Sequence, residues 1–190
     1  MDVLKDLRDR TGVSVMQCKK ALEEAGGDVA QAEVILKKRA GADASKKSDR
    51  TLGAGILGTY VHDGVIGAMV LLSCETDFVA KNEDFSKLAR DIAMHVSASN
   101  PKYIDESDID EETKQAAMKV FEAEVEGKPE DMKQKILQGK LDSYFKDQVL
   151  LSQPFIKDDS KTIRDLLSEA IQKFGERTEV SQIARMSARG

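Results

Sequence analysis

Apolar residues recur at helical spacing in three short stretches of the first 39 residues. Thr11-Gly12 separates the first stretch from the second, and Gly26-Gly27 separates the second from the third. Ser14 and Gln17 have the pattern of a capping box, and Asp28 is placed to cap the third helix. The apolar positions that define the helices are Leu4, Leu7, Val15, Cys18, Leu22, Ala25, Val29, Ala32, Ile35 and Leu36. We predict a three-helix bundle over residues 1–39.

The pattern then changes at residue 40. Residues 40–51 are small or polar, without a large apolar side chain, which is typical of an exposed tether between domains. We therefore predict two domains, with a linker over residues 40–52 and a second domain over residues 53–190.

Two runs of β-type residues follow, Ile56–His62 and Val65–Cys74, and Asp63-Gly64 separates them. This dipeptide readily takes the positive φ values of a type I′ turn, so the runs predict a β-hairpin. The second run is apolar almost throughout, which indicates a central strand covered on both faces. Residues Glu179–Met186 alternate with period two, and we predict that they form a third strand beside the hairpin.

The remaining apolar stripes predict helices that cover this sheet. Asn82 is placed to cap a helix that carries a continuous stripe before Pro101, and Ile163–Phe174 forms an amphipathic helix that Gly175 ends. Residues 110–126 and the stretch that Pro129 opens are predicted to form a helical hairpin. The fold class is therefore α+β, with a small three-stranded antiparallel sheet covered by helices.

Composition narrows the class of partner. Of the 190 residues, 41% are hydrophobic and 33% are charged, as in a globular protein, and no apolar run reaches the roughly 18 residues of a membrane span. The N-terminus lacks the features of a signal or transit peptide, so we expect a cytoplasmic protein that binds no membrane. A net charge of −5 argues against a protein that binds nucleic acid by neutralising its phosphates. We therefore expect a protein partner and no direct nucleic-acid binding.

Motifs for a metal, a cofactor or catalysis are weak. Cys18 and Cys74 are far apart and only two histidines accompany them, so we expect free thiols and no metal. Residues 53–58 match the spacing of a dinucleotide-binding loop, but a strand follows them where that loop needs a helix. We expect no cofactor, and glycines that relieve crowding in the strand.

His62 beside Asp63 has the elements of an acid–base pair, which a small hydrolase would use. No recognisable nucleophile pattern or second carboxylate accompanies the pair. An exposed turn residue is the alternative for His62, and a packed or surface residue is the interpretation of His95.

The segment Cys74–Asn82 places the carboxylate of Asp77 beside the aromatic ring of Phe78, in a short link between an apolar strand and a capped helix. Such a link projects at the end of a sheet. The residues alone leave two interpretations open: a binding site, or Phe78 packed into the core with Asp77 capping a turn.

Several blocks of residues occur in order along nearly the whole chain: Leu7–Gly12 with Cys18–Leu22, Tyr60–Gly64 with Ile66-Gly67, Thr76–Asn82, Ile92–Val96 with Asn100-Pro101, and Gln153–Phe155 with Lys161–Ile163. Together these blocks resemble the elongation factor Ts family. The resemblance implies a ubiquitin-associated-like (UBA-like) bundle at the N-terminus. It also implies a non-enzymatic factor that promotes GDP release from elongation factor Tu during translation elongation.

The resemblance further implies that Asp77 and Phe78, flanked by Thr76 and Val79, enter the partner near its Mg²⁺ and phosphate site. It adds further contacts at Arg8, Val15, Met16, His62 and Gly175. The chain is similar in length to short family members that form homodimers, which places His62 of one subunit beside Phe78 of the other. Val15-Met16 stands where members commonly have two methionines, and Met186–Gly190 replaces the usual Gly-Glu-Gly ending. The alternative function is a UBA-like adaptor that binds helices.

Overall fold

The computed structural model describes residues 3–122, 125 and 129–189. Its first three helices form the predicted bundle: α1 spans Val3–Thr11, α2 spans Val15–Glu24 and α3 spans Val29–Lys46. The Ser14 side chain accepts a hydrogen bond from Gln17 N–H, and the Asp28 side chain accepts one from Gln31 N–H, so both predicted caps are confirmed. The buried centre of the bundle consists of Leu7, Val13, Cys18, Ala21, Ala32 and Leu36.

The tether predicted from residue 40 is wrong over residues 40–46, which continue α3. Alanine is the best helix former, and three of the seven residues 40–46 are alanine. Helix α3 packs against helix α8 (Ile163–Phe174). Ala40 is only 1% exposed. Residues 47–53 make the connection to the first strand. The division into two domains at this point remains a prediction.

Strands β1 (Ala54–His62) and β2 (Ile66–Cys74) form the predicted hairpin. Asp63 and Gly64 have φ values of 50° and 69°, and Val65 N–H donates to His62 O at 2.9 Å. β2 is central, as predicted, because it also pairs antiparallel with the last strand, Thr178–Ser187. Within one chain, the prediction that both of its faces are covered is wrong at the outer face, where Met69 is 48% exposed between the buried residues Ala68 and Val70.

The helices after the hairpin are α4 (Asp77–Ala80), α5 (Glu83–Ser99), α6 (Glu111–Glu122) and α7 (Glu130–Lys146), followed by α8. Helices α6 and α7 pack together as predicted, although residues 123, 124 and 126 of the predicted first helix lie outside the described residues. Strands β3 (Pro154–Phe155) and β4 (Asp158–Thr162) form a ribbon that was not predicted. The last strand, Thr178–Ser187, is β5.

One face of the three-stranded sheet packs on α5 and α8 around a single apolar core. β1 approaches α5 so closely at Gly58 that an added Cβ would lie 2.2 Å from the backbone carbonyl carbon of Ala89. This confirms that a glycine of the Gly53–Gly58 run relieves crowding in the strand. The α+β fold class is confirmed.

Candidate functional site

The one-turn helix α4 presents the first group of predicted site residues at the end of β2. Thr76 is its N-cap and accepts a hydrogen bond from Val79 N–H at 3.4 Å. The Val79 side chain is 4% exposed and packs into the core, so it anchors the helix and does not face solvent. The Phe78 side chain is 82% exposed. Phe78 therefore does not fold back into the core.

Asp77 is the first residue of α4 and lies beside Phe78 on the solvent side. Its Oδ2 atom lies 2.6 Å from Lys81 Nζ, one helical turn further on. The hydrogen bond from Lys81 and its positive charge hold the pKa of the Asp77 carboxyl below its ordinary value. The site thus offers an ionised carboxylate next to an exposed aromatic ring.

His62 lies at the opposite end of the sheet, beside the hairpin turn. Its side chain is 58% exposed, its Nδ1 atom lies 3.2 Å from Tyr60 Oη, and its Nε2 atom lies 3.5 Å from Asp63 Oδ2. The eight residue steps of β2 span about 26 Å at about 3.3 Å each, and they separate His62 from α4. Within one chain, the structure does not bring His62 and Phe78 into one site.

The three N-terminal residues of the predicted site are all exposed. Arg8 lies on α1, while Val15 and Met16 begin α2 with exposures of 46% and 65%. The turn between these helices contacts the rest of the molecule at Gly12, where an added Cβ would meet the Lys173 side chain at 3.3 Å. Lys173 in turn forms an ion pair of 2.7 Å with Asp84 at the start of α5.

These contacts place the turn between α1 and α2 near the start of α5. Helix α5 directly follows α4 in the chain, whereas His62 lies at the far end of the sheet.

Gly175 ends α8 in the left-handed conformation, with a φ of 75°. This turn directs the next residue, Glu176, at the backbone of Thr76, where the Glu176 carboxylate accepts a hydrogen bond of 3.0 Å from Thr76 N–H. Glu176 is not among the site residues predicted from the sequence. No spacing rule would have found it, because about one hundred residues separate the two partners.

His95 is a packed histidine, which was one of the two interpretations of its sequence position. It is 2% exposed on α5, where its Nε2 atom lies 2.8 Å from Gln153 Oε1 and its Nδ1 atom accepts a bond from Ile156 N–H at 3.2 Å. Burial lowers the pKa of His95, and the Gln153 contact opposes that shift. The residue joins α5 to the β3–β4 ribbon.

A cleft of about 400 Å³ lies between the bundle and α8. The charged residues that line it are three basic and three acidic side chains, Arg10, Lys37, Lys161, Glu33, Asp158 and Glu169. The cleft therefore favours neither an anion nor a cation. Among the residues that the structure describes, no cluster of three or more His, Cys, Asp or Glu side chains is placed to hold a metal ion. No helix in this part of the chain is long and apolar enough to cross a membrane.

Comparisons with known proteins agree with the resemblance carried by the motifs. A family model described as elongation factor TS matches residues 44–189. Elongation factor Ts of Thermodesulfovibrio yellowstonii is 45% identical over 184 residues, which are 96% of this chain and 92% of that protein. The same factor of Thermosipho melanesiensis is 43% identical over 188 residues, covering 97% of this chain and 96% of the relative. That of Thermotoga petrophila is 43% identical over 186 residues, covering 97% and 94%.

The chain belongs to the elongation factor Ts family. It is accordingly an elongation factor of protein biosynthesis. The matched family region runs from the end of α3 to β5 and therefore contains the sheet, the α4 site and His62. The alignments with individual elongation factor Ts relatives cover nearly the whole chain, so the similarity extends to most of the N-terminal bundle.

Proposed function

We propose that this protein is a non-enzymatic exchange factor that promotes GDP release from elongation factor Tu. Asp77 and Phe78 enter the partner near its Mg²⁺ and phosphate site. The observation that carries the proposal is the exposure of Phe78, 82% on a helix whose neighbouring Val79 is buried. An aromatic ring fixed in water by a buried neighbour has its apolar surface available to a protein partner.

The mechanism is displacement without any covalent step. A G protein holds its nucleotide through Mg²⁺ and through backbone N–H groups of a phosphate loop, so shifting the elements that supply these ligands weakens nucleotide binding. The ionised Asp77 carboxylate adds negative charge where the nucleotide phosphates already carry it. The factor must bind the nucleotide-free partner better than the GDP-bound one, because equal affinity shifts no equilibrium.

Phe78 cannot supply this preference alone. Burying one phenylalanine contributes about 1.5–3 kcal/mol, whereas shifting an equilibrium from 1:99 to 99:1 requires about 5.5 kcal/mol. We propose that the exposed apolar side chains of Val15 and Met16 on α2, together with Arg8 on α1, supply a second contact with the partner. We assign the displacement to α4 and most of the affinity to this second surface.

The test measures release of fluorescent GDP from elongation factor Tu with and without the factor. Phe78→Ala should slow release about tenfold to a hundredfold, which corresponds to the loss of about 1.5–3 kcal/mol of burial. The thermal midpoint should not change, since Phe78 is exposed. Ile156→Ala, at a residue that is 53% exposed on the β3–β4 ribbon, is the matched control and should release GDP at the unaltered rate. The proposal is refuted if the unaltered protein does not accelerate release.

The helix-binding adaptor is the alternative, because Val15 and Met16 expose an apolar surface on α2. Met16→Ala weakens partner binding under both functions. Phe78→Ala separates them: an adaptor that binds through α2 alone keeps its affinity, and it leaves GDP release unaffected with or without Phe78. The contacts of His62 are a phenol and a carboxylate, which do not supply the Ser or Cys nucleophile that a hydrolase would need.

The outer face of the sheet supports a homodimer. Leu57, Val61, Met69 and Met186 are 62%, 65%, 48% and 77% exposed, and the strand register places all four on the face opposite the core. We propose that a second copy of the chain covers this face. An open sheet face with four large apolar side chains is the kind of surface that two sheets bury when they pack face to face.

The dimer also accounts for the separation of His62 from Phe78. These residues lie beyond opposite ends of β2, a strand about 26 Å long. Two sheets related by a two-fold axis, with their strands running in opposite directions, place the His62 end of one subunit over the α4 end of the other. Each composite site then draws one residue from each subunit.

Sedimentation of Met69→Glu tests the dimer. A carboxylate at the centre of a buried apolar face is costly, so the variant should sediment as a monomer at concentrations where the unaltered protein is a dimer. Val34→Glu is the control, at a 52% exposed apolar residue on α3, and should leave the dimer intact. A monomeric unaltered protein would refute the proposal.

Complementation tests the composite site. His62→Ala and Phe78→Ala proteins, each slowed on its own, should regain exchange activity when mixed, because half of the sites in a mixed dimer then contain neither substitution. Absence of recovery in a mixture shown to exchange subunits would contradict the composite site.

A further inference from the structure

Glu176 bonds to the chain just before α4 in three places. Its Oε2 atom accepts hydrogen bonds from Glu75 N–H at 3.1 Å and from Thr76 N–H at 3.0 Å. Its Oε1 atom accepts a hydrogen bond of 2.6 Å from Thr76 Oγ1. One carboxylate thus satisfies two consecutive backbone donors and the hydroxyl of the residue that caps α4. Hydrogen bonds to a charged acceptor are stronger than neutral ones.

A second carboxylate makes the reciprocal contact. Glu75 Oε1 accepts a hydrogen bond of 2.6 Å from Arg177 N–H, and it lies 3.1 Å from Arg50 Nη1. The Arg177 hydrogen bond, aided by the Arg50 guanidinium, lowers the pKa of the Glu75 carboxyl, so this group is ionised at neutral pH. Residues 75–76 and residues 176–177 therefore bind each other through four hydrogen bonds, three accepted by Glu176 and one by Glu75, which we call the interlock.

The interlock fixes the hydroxyl that starts α4. The Thr76 hydroxyl donates a hydrogen bond to Glu176 and at the same time accepts one from Val79 N–H. α4 has only four residues, and an isolated helix of one turn is unstable in water. The direction of Phe78 thus depends on two things: the burial of Val79 on one face of the helix, and the orientation of the Thr76 cap by Glu176.

We infer that Glu176 is a positioning residue for Asp77 and Phe78. It touches neither the partner's nucleotide nor its Mg²⁺ site in this role, and acts by holding Thr76 so that α4 presents Phe78 in one direction. The inference rests on the proposed exchange function. Gly175 serves the same arrangement, since its left-handed conformation turns the chain after α8 and brings Glu176 to Thr76.

Two substitutions remove the Glu176 hydrogen bonds to different extents. Glu176→Ala removes all three hydrogen bonds. Glu176→Gln keeps the length of the side chain and one acceptor oxygen, but its amide nitrogen replaces the other oxygen with a donor. Glu169→Gln is the matched control, because Glu169 lies on α8 with similar burial, pairs with Lys161 at 2.8 Å and has no hydrogen bond or ion pair with residues 75–78.

The assay is GDP release from elongation factor Tu over a range of factor concentrations. Glu176→Ala should lower the maximal rate about tenfold and change the half-saturating concentration by less than about threefold, since most of the affinity lies on other contacts. Glu176→Gln should give an intermediate rate, and Glu169→Gln the unaltered rate. Amide exchange at Glu75 and Thr76, measured by NMR, should accelerate in Glu176→Ala before other amides of the core do.

A double substitution distinguishes positioning from general stabilisation. If Glu176 acts through Phe78, Glu176→Ala should cause no further loss in a Phe78→Ala background, because the residue that it positions is gone. A stabilising residue would instead lower the rate in both backgrounds together with the thermal midpoint. That result overturns the inference but not the proposed function. The same holds if Glu176→Ala releases GDP at the unaltered rate while Phe78→Ala is slowed. An unchanged rate in Phe78→Ala overturns the proposed function and the inference with it.

Discussion

Replacing Gly58 by alanine should destabilise the fold, because this glycine sets the distance between β1 and α5. A Cβ at residue 58 would lie 2.2 Å from both the carbonyl carbon and the carbonyl oxygen of Ala89, and 2.7 Å from Arg90 N. These neighbours are backbone atoms of α5, so no side-chain rotation relieves the contact. Separations below 3.0 Å are essentially absent for real Cβ atoms, and the strand and the helix must therefore move apart.

The size of the effect follows from the packing that this movement disrupts. Ala89, Ile92 and Ala93 of α5 are all fully buried in the core against the sheet. Overpacking a well-packed core costs about 1–3 kcal/mol, and the upper end applies here because backbone must shift against backbone. The lower unfolded-state entropy of alanine offsets about 0.5–1 kcal/mol of this. We expect a net loss of about 2 kcal/mol.

Urea denaturation of Gly58→Ala and Gly67→Ala at equal protein concentration measures the difference. Gly67 lies in the neighbouring strand with its open side on the outer face, where an added Cβ would meet only the Val61 side chain at 3.9 Å. Gly67 lies on the face that the proposed second copy covers, so the comparison is made at a concentration where the protein is monomeric. There Gly67→Ala should be neutral or slightly stabilising, although the chemical change is the same. Equal midpoints for the two variants would refute the claim that Gly58 is required by contact with α5.

Two further predictions concern buried titratable groups. Burial lowers the pKa of His95 below its ordinary value of 6.5, so as the pH falls the unfolded chain binds a proton at this residue before the folded protein does. The contribution of His95 to the free energy of unfolding is therefore fully present above about pH 6.5 and is lost as the pH drops below it. His95→Gln should remove this part of the loss, measured as the change in thermal midpoint between about pH 7.5 and about pH 5.5 in both proteins. Cys18 and Cys74 are free and 0% exposed, and burial raises the pKa of Cys74. Both thiols should therefore react with a disulfide reagent only as fast as the protein unfolds. Rapid labelling of the folded protein would contradict this.

The parts of the fold that the sequence predicts well are those decided by neighbouring residues. Asp63-Gly64 sets the hairpin turn through its own φ values, and Ser14, Asp28 and Asn82 cap helices by bonding backbone two or three residues away. The stripe that ends at Gly175 gives α8 for the same reason. Each of these signals lies within one or two turns of chain.

The errors arise where distant residues decide the outcome. Residues 40–46 resemble a tether by composition, yet they continue α3, and Ala40 is buried by the surrounding fold. The β3–β4 ribbon has too few residues for a periodic signal, and it is held partly by Ile156 N–H bonding to His95 on α5. The apolar run of β2 correctly indicates a central strand, but whether Met69 is covered depends on a partner outside the chain.

The same limit applies to the candidate site. Asp77 and Phe78 are recognisable in the sequence, but the adjacent residues do not show whether the Phe78 side chain is buried or exposed. That depends on which face of α4 packs against the core. The structure places Val79 inside and Phe78 outside. Glu176, which holds the cap of α4, lies about one hundred residues away, and its role is apparent only once the residues that follow α8 lie beside those that follow β2.

The separation of roles in this site has a consequence for how mutations act. Since Phe78 is exposed and Val79 is buried, adjacent residues of one helical turn affect different quantities: Phe78→Ala changes exchange without changing stability, whereas Val79→Ala empties part of the core. A two-fold dimer duplicates the arrangement, because any site built from His62 of one subunit and Phe78 of the other must occur twice. If the proposed dimer forms, it has two equivalent positions for elongation factor Tu, and we expect loss of the sheet interface to disrupt both composite sites even though neither Asp77 nor Phe78 is altered.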